Sequence, residues 1–157
     1  MTRTASALAI PHDAIAEFLA AHPIGSPYAG GFFAGLYTDN RYAVIFADKS
    51  EESPKRLSHA KAVEFAAACR AGGLEDWKAL DRDAHYIANK HLNPTWTTVE
   101  AFKEGGAQAF ERDAYWTGET HPVYSAYAWD QAFGYGRSAC WVKDYFLRVR
   151  PGRIVLI

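Results

Sequence analysis

Residues 112–153 read RDAYWTGETHPVYSAYAWDQAFGYGRSACWVKDYFLRVRPGR. This part of a 157-residue chain holds three of its five Trp and five of its nine Tyr. Tyr127, Trp129, Gln131 and Phe133 alternate with Ala128, Asp130 and Ala132. Tyr145, Leu147 and Val149 alternate with Phe146, Arg148 and Arg150. A period of two marks strands with one face against a core. Phe-Gly-Tyr-Gly-Arg-Ser, residues 133–138, is the turn between two of them. Arg148, Arg150 and Arg153 are expected on the solvated face of the last strand.

Upstream of this stretch the pattern is mixed. Ala14, Ile15, Phe18 and Leu19 fall on one helical face, and Pro23 stops the run. Residues 22–31 form a turn-rich linker with two Pro and three Gly. Residues 31–50 read as a β-hairpin turning at Asp39-Asn40. Ser58 is placed to cap a second helix whose buried stripe is Ala62, Phe65, Ala66 and Cys69, and Gly72-Gly73 ends it. A third helix starts at Asp81, with Leu80, Ala84, Ile87 and Ala88 on one side. Thr97 and Glu100 have capping-box spacing for a brief fourth. Helix, hairpin, helices and then an antiparallel set give an α+β class.

Composition narrows the function. Hydrophobic residues make up 49% and charged residues 22%, with a formal net charge of −1. A nucleic-acid partner is therefore not expected, because no excess of basic charge exists to neutralise phosphates. Two cysteines, Cys69 and Cys140, are too few for a disulfide scaffold and match no zinc spacing. The N-terminus carries no signal-peptide pattern and no membrane span is evident, so the expected setting is a cytoplasm, or a virion assembled in one. Both thiols are expected to be reduced there, with no disulfide.

Several motifs together resemble a known family. They are Gly72, Gly73, Asp76 and Trp77; Tyr115, Trp116, Thr117 and Glu119; Ala128, Trp129, Gln131, Phe133 and Gly136; and Arg148, Val149 and Arg150. In this order they resemble the family typified by the C-terminal domain of the collagen-like adhesin Lcl, common in bacteria and their phages. The hairpin of residues 32–50 looks like the opening of the phage-type members. The resemblance covers residues 30–153. It implies a C-type-lectin-like fold, with two main helices packed on a twisted antiparallel sheet and loops on the upper face. Residues 1–29 then form an N-terminal helical extension with its linker, and residues 30–157 the lectin-like domain. Lys78, Ala79 and Leu80 replace the family's Arg-Leu-Pro. Pro151 lies near the place where many members carry a cysteine, so the family's disulfide is not carried over.

Fold alone does not choose a function. The calcium triplets of sugar-binding lectins, Glu-Pro-Asn or Gln-Pro-Asp with Trp-Asn-Asp, are absent, and no calcium site is expected. His59, His85, His91 and His121 have no convergent zinc spacing. No metal or other cofactor and no catalytic residue is assigned. Trp77, Trp116, Trp129 and Phe133 sit at motif positions and are expected to be core. Tyr124, Tyr135 and Trp141 lie in or beside turns, where Tyr and Trp serve as interface anchors, and either packing or recognition fits them. The expected function is a non-enzymatic protein-binding module of phage or bacterial origin. It acts either as an intracellular effector that inhibits a host protein, such as a defence component, or as a domain meeting a surface receptor or glycan. Recognition lies in the aromatic loops or in the N-terminal helix. The alternative is a thiol-dependent enzyme related to the formylglycine-generating fold, with Cys140 as nucleophile and His121 as base.

Overall fold

The computed structural model describes residues 11–37 and 39–157. Residues 1–10, part of the expected N-terminal extension, and Thr38 lie outside the described residues. The chain is mixed helix and antiparallel sheet. In order it forms α1 (His12–Ala21), β1 (Pro27–Tyr28), β2 (Gly31–Tyr37), β3 (Tyr42–Phe46), α2 (His59–Ala67), α3 (Arg82–Leu92), β4 (Ala114–Thr120), β5 (Tyr127–Ala132), β6 (Ser138–Val142) and β7 (Gly152–Leu156). One sheet runs β1-β2-β3-β7 and the other β4-β5-β6.

The first sheet is covered on both faces. Ala34, Val44 and Phe46 meet Ala84, Ala88 and Leu92 of α3, with Phe102, Phe110, Tyr115 and Phe133 completing that core. Phe33, Ala43 and Ile45 point the other way, onto Trp77 and Cys69. Phe18 of α1 leans on this second face, edge-on to Phe33 at 5.4 Å. The remaining residues of α1 bury little, and none is fully covered. α2 lays Ala62 and Ala66 on Trp116, Ala128, Leu147 and Val149 of the second sheet and its return segment. Gly35 makes the α3 crossing possible. It forms the bulge in β2 at φ 141°, and a Cβ there would sit 2.7 Å from Ile87.

Caps follow the expected residues. Asp81 caps α3 by accepting from the Ala84 N–H at 2.9 Å. Ser58 precedes α2 but makes no side-chain cap. Thr97 donates to the His91 carbonyl at 2.7 Å instead of opening a helix. The brief element after it is a 3₁₀ turn, Glu100–Phe102. Both cysteines are free thiols, Cys69 buried and Cys140 half-buried.

Three sequence expectations need correction. First, residues 145–150 are not a strand. They turn and then cross between the sheets, touching Leu57 and Tyr115 through single bridges, and the last strand is β7. Second, Trp129 is half-buried, while its neighbours Ala128 and Asp130 are covered. The register of β4 on β5 shifts between Trp116 and Thr120. Helices lie on both faces of β5, so alternation does not separate core from solvent there. Trp77, Trp116 and Phe133 are buried as expected.

Third, the arginine row is not a solvated face. Arg150 is 0% exposed. It gives Glu52 two hydrogen bonds, at 2.8 and 3.1 Å, and donates to the carbonyls of Gln108 and Ala109. Its guanidinium lies 4.1 Å over the Phe110 ring. The Tyr115 hydroxyl donates to the other Glu52 oxygen at 2.8 Å and accepts from the Glu111 N–H. Arg148 pairs with Asp113 at 2.9 Å, and Arg153 grips Asp76 at the rim of Trp77. Fully satisfied, a buried charge is tolerable, and strand alternation cannot reveal such a network.

Candidate binding face

The β4-β5-β6 ribbon carries most of the exposed rings. Tyr127 on β5 faces Val142 on β6, and Trp129 faces Cys140. Directly opposed residues share a face, so Tyr127, Trp129, Cys140 and Val142 lie on one side. Ala128, Asp130, Ala139 and Trp141 lie on the other. Trp141 is 41% exposed and stacks on Tyr145 at 4.8 Å. Its indole N–H donates to Asp130 at 3.1 Å. Phe146 beside it is also exposed.

The loop before β5 is held by His121. Its Nδ1 accepts from the N–H groups of Val123 and Tyr124, both at 3.1 Å, and its backbone N–H donates to Tyr127. The ring stacks on Trp129 at 5.2 Å. Arg82, the first residue of α3, lies 3.5 Å from the Trp129 ring centre and donates to the Ser138 hydroxyl. Trp129 therefore meets both a cation and an imidazole. Tyr124, 63% exposed, stands near it and meets Tyr127 edge-on. A cleft of about 440 Å³ opens beside Arg82, bounded by Tyr86, Gln131, Arg137 and Ser138.

The three residues singled out from sequence do not form one site. Tyr124 precedes β5 and Tyr135 follows it, so about 17 Å of strand separates their ends of the ribbon. Tyr135, 90% exposed, stands alone at the tip of the β5–β6 turn. Trp141 lies on the opposite face from Trp129. The structure adds Tyr127, Val142, Tyr145, Phe146 and Arg82. The i, i+4 spacing of Trp141 and Tyr145 across Lys143-Asp144 was a visible signal for one of these. Nothing in the sequence marked Arg82.

Cys140 and His121 are not joined by a hydrogen bond among the described residues, and the Nδ1 of His121 is already engaged by two N–H donors. Burial pushes the Cys69 thiol up, with Glu51 adding to the shift. No three His, Cys, Asp or Glu side chains converge as a metal site needs, among the described residues. Nor is any helix among them long and apolar enough to cross a membrane.

Two buried groups give the ribbon and α3 opposite responses to acid. Burial pushes the Asp130 carboxyl up to about 6, against the opposing pull of the Ala139 and Trp141 N–H donors. Burial holds the His85 imidazole down at about 4, although it bonds the Asp81 carbonyl. His85 contributes stability above its ordinary value of 6.5, and this is lost as pH falls toward 4. Asp130 works the other way, because the native state takes up its proton first as pH falls through about 6. The two trends offset each other between about pH 6 and pH 4. Asp130→Asn is expected to steepen the fall of Tm with acidification over that window. His85→Asn is expected to flatten it. Parallel Tm–pH curves for wild type and both variants would count against these assignments.

No protein-family model and no curated protein matches this chain.

Proposed function

We propose that the protein is a non-enzymatic protein-binding module with a C-type-lectin-like fold. The element order supports the fold reading: an opening hairpin, two helices, a three-stranded ribbon, and a final strand that returns to pair with β3. On this reading residues 1–29 are an extension and residues 30–157 the lectin-like body. The family resemblance supports a phage or bacterial origin and a site of action in the host cytoplasm or on a virion. An intracellular effector that inhibits a host protein, or a receptor-recognition domain, would use the same surface.

The observation that carries the binding role is the cluster of exposed rings around β6. On the face bearing Trp141, the stacked Trp141 and Tyr145 and the adjoining Phe146 are each at least 40% exposed, and Tyr127 and Val142 expose apolar surface on the other face of the same strand pair. Apolar groups gathered this way mark interaction surfaces on folded proteins. Tyr and Trp are also the side chains that most often dominate binding energy.

The test starts by identifying the partner by crosslinking in bacterial lysate, followed by affinity measurement with purified components. Trp141→Ala is expected to weaken binding about thirtyfold, roughly 2 kcal/mol, with unchanged circular dichroism. Tyr124→Ala, on the opposite face with His121 and Tyr127, is expected to matter less. Tyr135→Ala, remote from both, is expected to matter least. Deletion of residues 1–24 is the competing arm. If it abolishes binding while the three substitutions do not, recognition lies in the extension. A glycan array with the same variants reports on a sugar receptor. A fast-reacting Cys140 thiolate together with turnover abolished by Cys140→Ser would replace binding with thiol catalysis.

A further inference from the structure

The outer edge of β6 carries main-chain groups that no strand covers. Two bonds fix the phase of the ladder: Lys143 N–H donates to the Ala126 carbonyl, and Ala132 N–H donates to the Arg137 carbonyl. Bonded residues alternate along an antiparallel pair. Ala139 and Trp141 therefore aim their backbone groups at β5, while Ser138, Cys140 and Val142 aim theirs outward. The Val142 carbonyl accepts from Tyr145 N–H at 3.0 Å. For the other outward groups no strand is paired, among the described residues.

Edge strands are usually guarded by a charge, a proline or a bulge. Ser-Ala-Cys-Trp-Val has no charge and no proline, and its register on β5 is unbroken. The charges lie just beyond its ends. Arg137, Ala139, Trp141 and Lys143 share one face by alternation, so the tryptophan is flanked by a cation at either end. The opposite face offers Ser138, Cys140 and Val142, all uncharged. Asp144 follows in the turn, exposed, and the Asp130 carboxylate is buried and already bonded to Ala139 and Trp141.

We propose that the β6 edge receives an extended segment of a partner protein, which adds as an antiparallel strand with an apolar centre and an acidic residue at each end. This rests on the protein-binding reading and names the chemistry of its partner. Main-chain bonds supply the attachment and alternate side chains the selectivity. The face bearing Trp141 selects acidic, apolar, apolar, acidic at every second position, opposite Lys143, Trp141, Ala139 and Arg137. A second copy of this chain fits poorly. The register that pairs Cys140 with its own copy sets Arg137 against Lys143 twice, and like charges directly opposed are unfavourable.

The probe is the capped peptide Glu-Thr-Val-Thr-Val-Thr-Glu, titrated into isotope-labelled protein at millimolar concentration. The amides of Ser138, Cys140 and Val142 are expected to shift more than those of Ala139 and Trp141. Replacing both glutamates by lysine is expected to weaken binding about tenfold or more, with the difference shrinking at high salt. Methylating the central threonine nitrogen removes a ladder donor and is expected to abolish binding, whatever the protein variant. Cys140→Pro removes an outward N–H at an edge position that tolerates proline, and is expected to abolish binding too. Equal binding of the lysine or N-methyl peptide, no binding of the parent peptide, or a concentration-dependent dimer that the peptide disperses would overturn the proposal. If Trp141→Ala weakens the native partner while the peptide does not bind, the Trp141 face stands and the edge strand falls. If the peptide binds and Trp141→Ala leaves the native partner unaffected, the Trp141-face reading fails instead.

Discussion

Arg150→Met is expected to cost about 3–5 kcal/mol in a urea melt, the range for removing one partner of a buried ion pair. The methionine can fill the space, but it leaves the buried Glu52 with only the Arg148 guanidinium, 3.7 Å away, as a cationic partner. The carbonyls of Gln108 and Ala109 also lose donors. Glu52→Leu alone is expected to cost a similar amount. The double variant is expected to cost less than the sum, because neither charge is then stranded. A loss under about 1 kcal/mol for Arg150→Met would show that the network relaxes or hydrates.

Trp116→Ala is expected to cost about 3–5 kcal/mol as well, for a different reason. Its ring is fully buried between α2 and the ribbon, edge-on to His59 at 5.0 Å, and its N–H donates to the Leu57 carbonyl at 2.8 Å. Trp129→Ala removes a half-covered ring that contacts a cation, and is expected to cost about 1–2 kcal/mol. Equal losses for the two would put Trp129 back in the core. Thermal or urea unfolding of both variants under one buffer decides it.

The α+β class was legible because the period changed from helical to two along the chain, and because Asp81 and the Asp39-Asn40 turn carry local chemistry that tertiary packing left in place. The buried state of Trp77 and Trp116 was legible from motif position. The side of β5 was not. A strand with helices over both faces has no polar face to give the parity away, and the Asp130 on it is buried. The arginine row misled for the same reason. Charge usually reports solvent, and here it reports Glu52, ninety-eight residues away in the chain. The turn context that singled out Tyr124, Tyr135 and Trp141 marked exposure but not placement, because Tyr124 and Trp141 lie on opposite faces of the ribbon and the length of β5 keeps Tyr135 apart from both. The open edge of β6 follows from strand order, and no local pattern encodes strand order.

The pairing of β3 with β7 joins residues more than a hundred positions apart. Such closures are slow, because the chain loses loop entropy before the ladder returns anything. Until they form, β3 presents Ala43, Val44, Ile45 and Phe46 along an open edge, all of them fully buried in the finished protein. A protease that clips before Gly152, or a nascent chain that has not yet reached it, would leave an apolar template with no lid. Incomplete chains are then expected to aggregate more readily than whole ones, because Gly152 to Ile157 are what covers this edge of the hairpin.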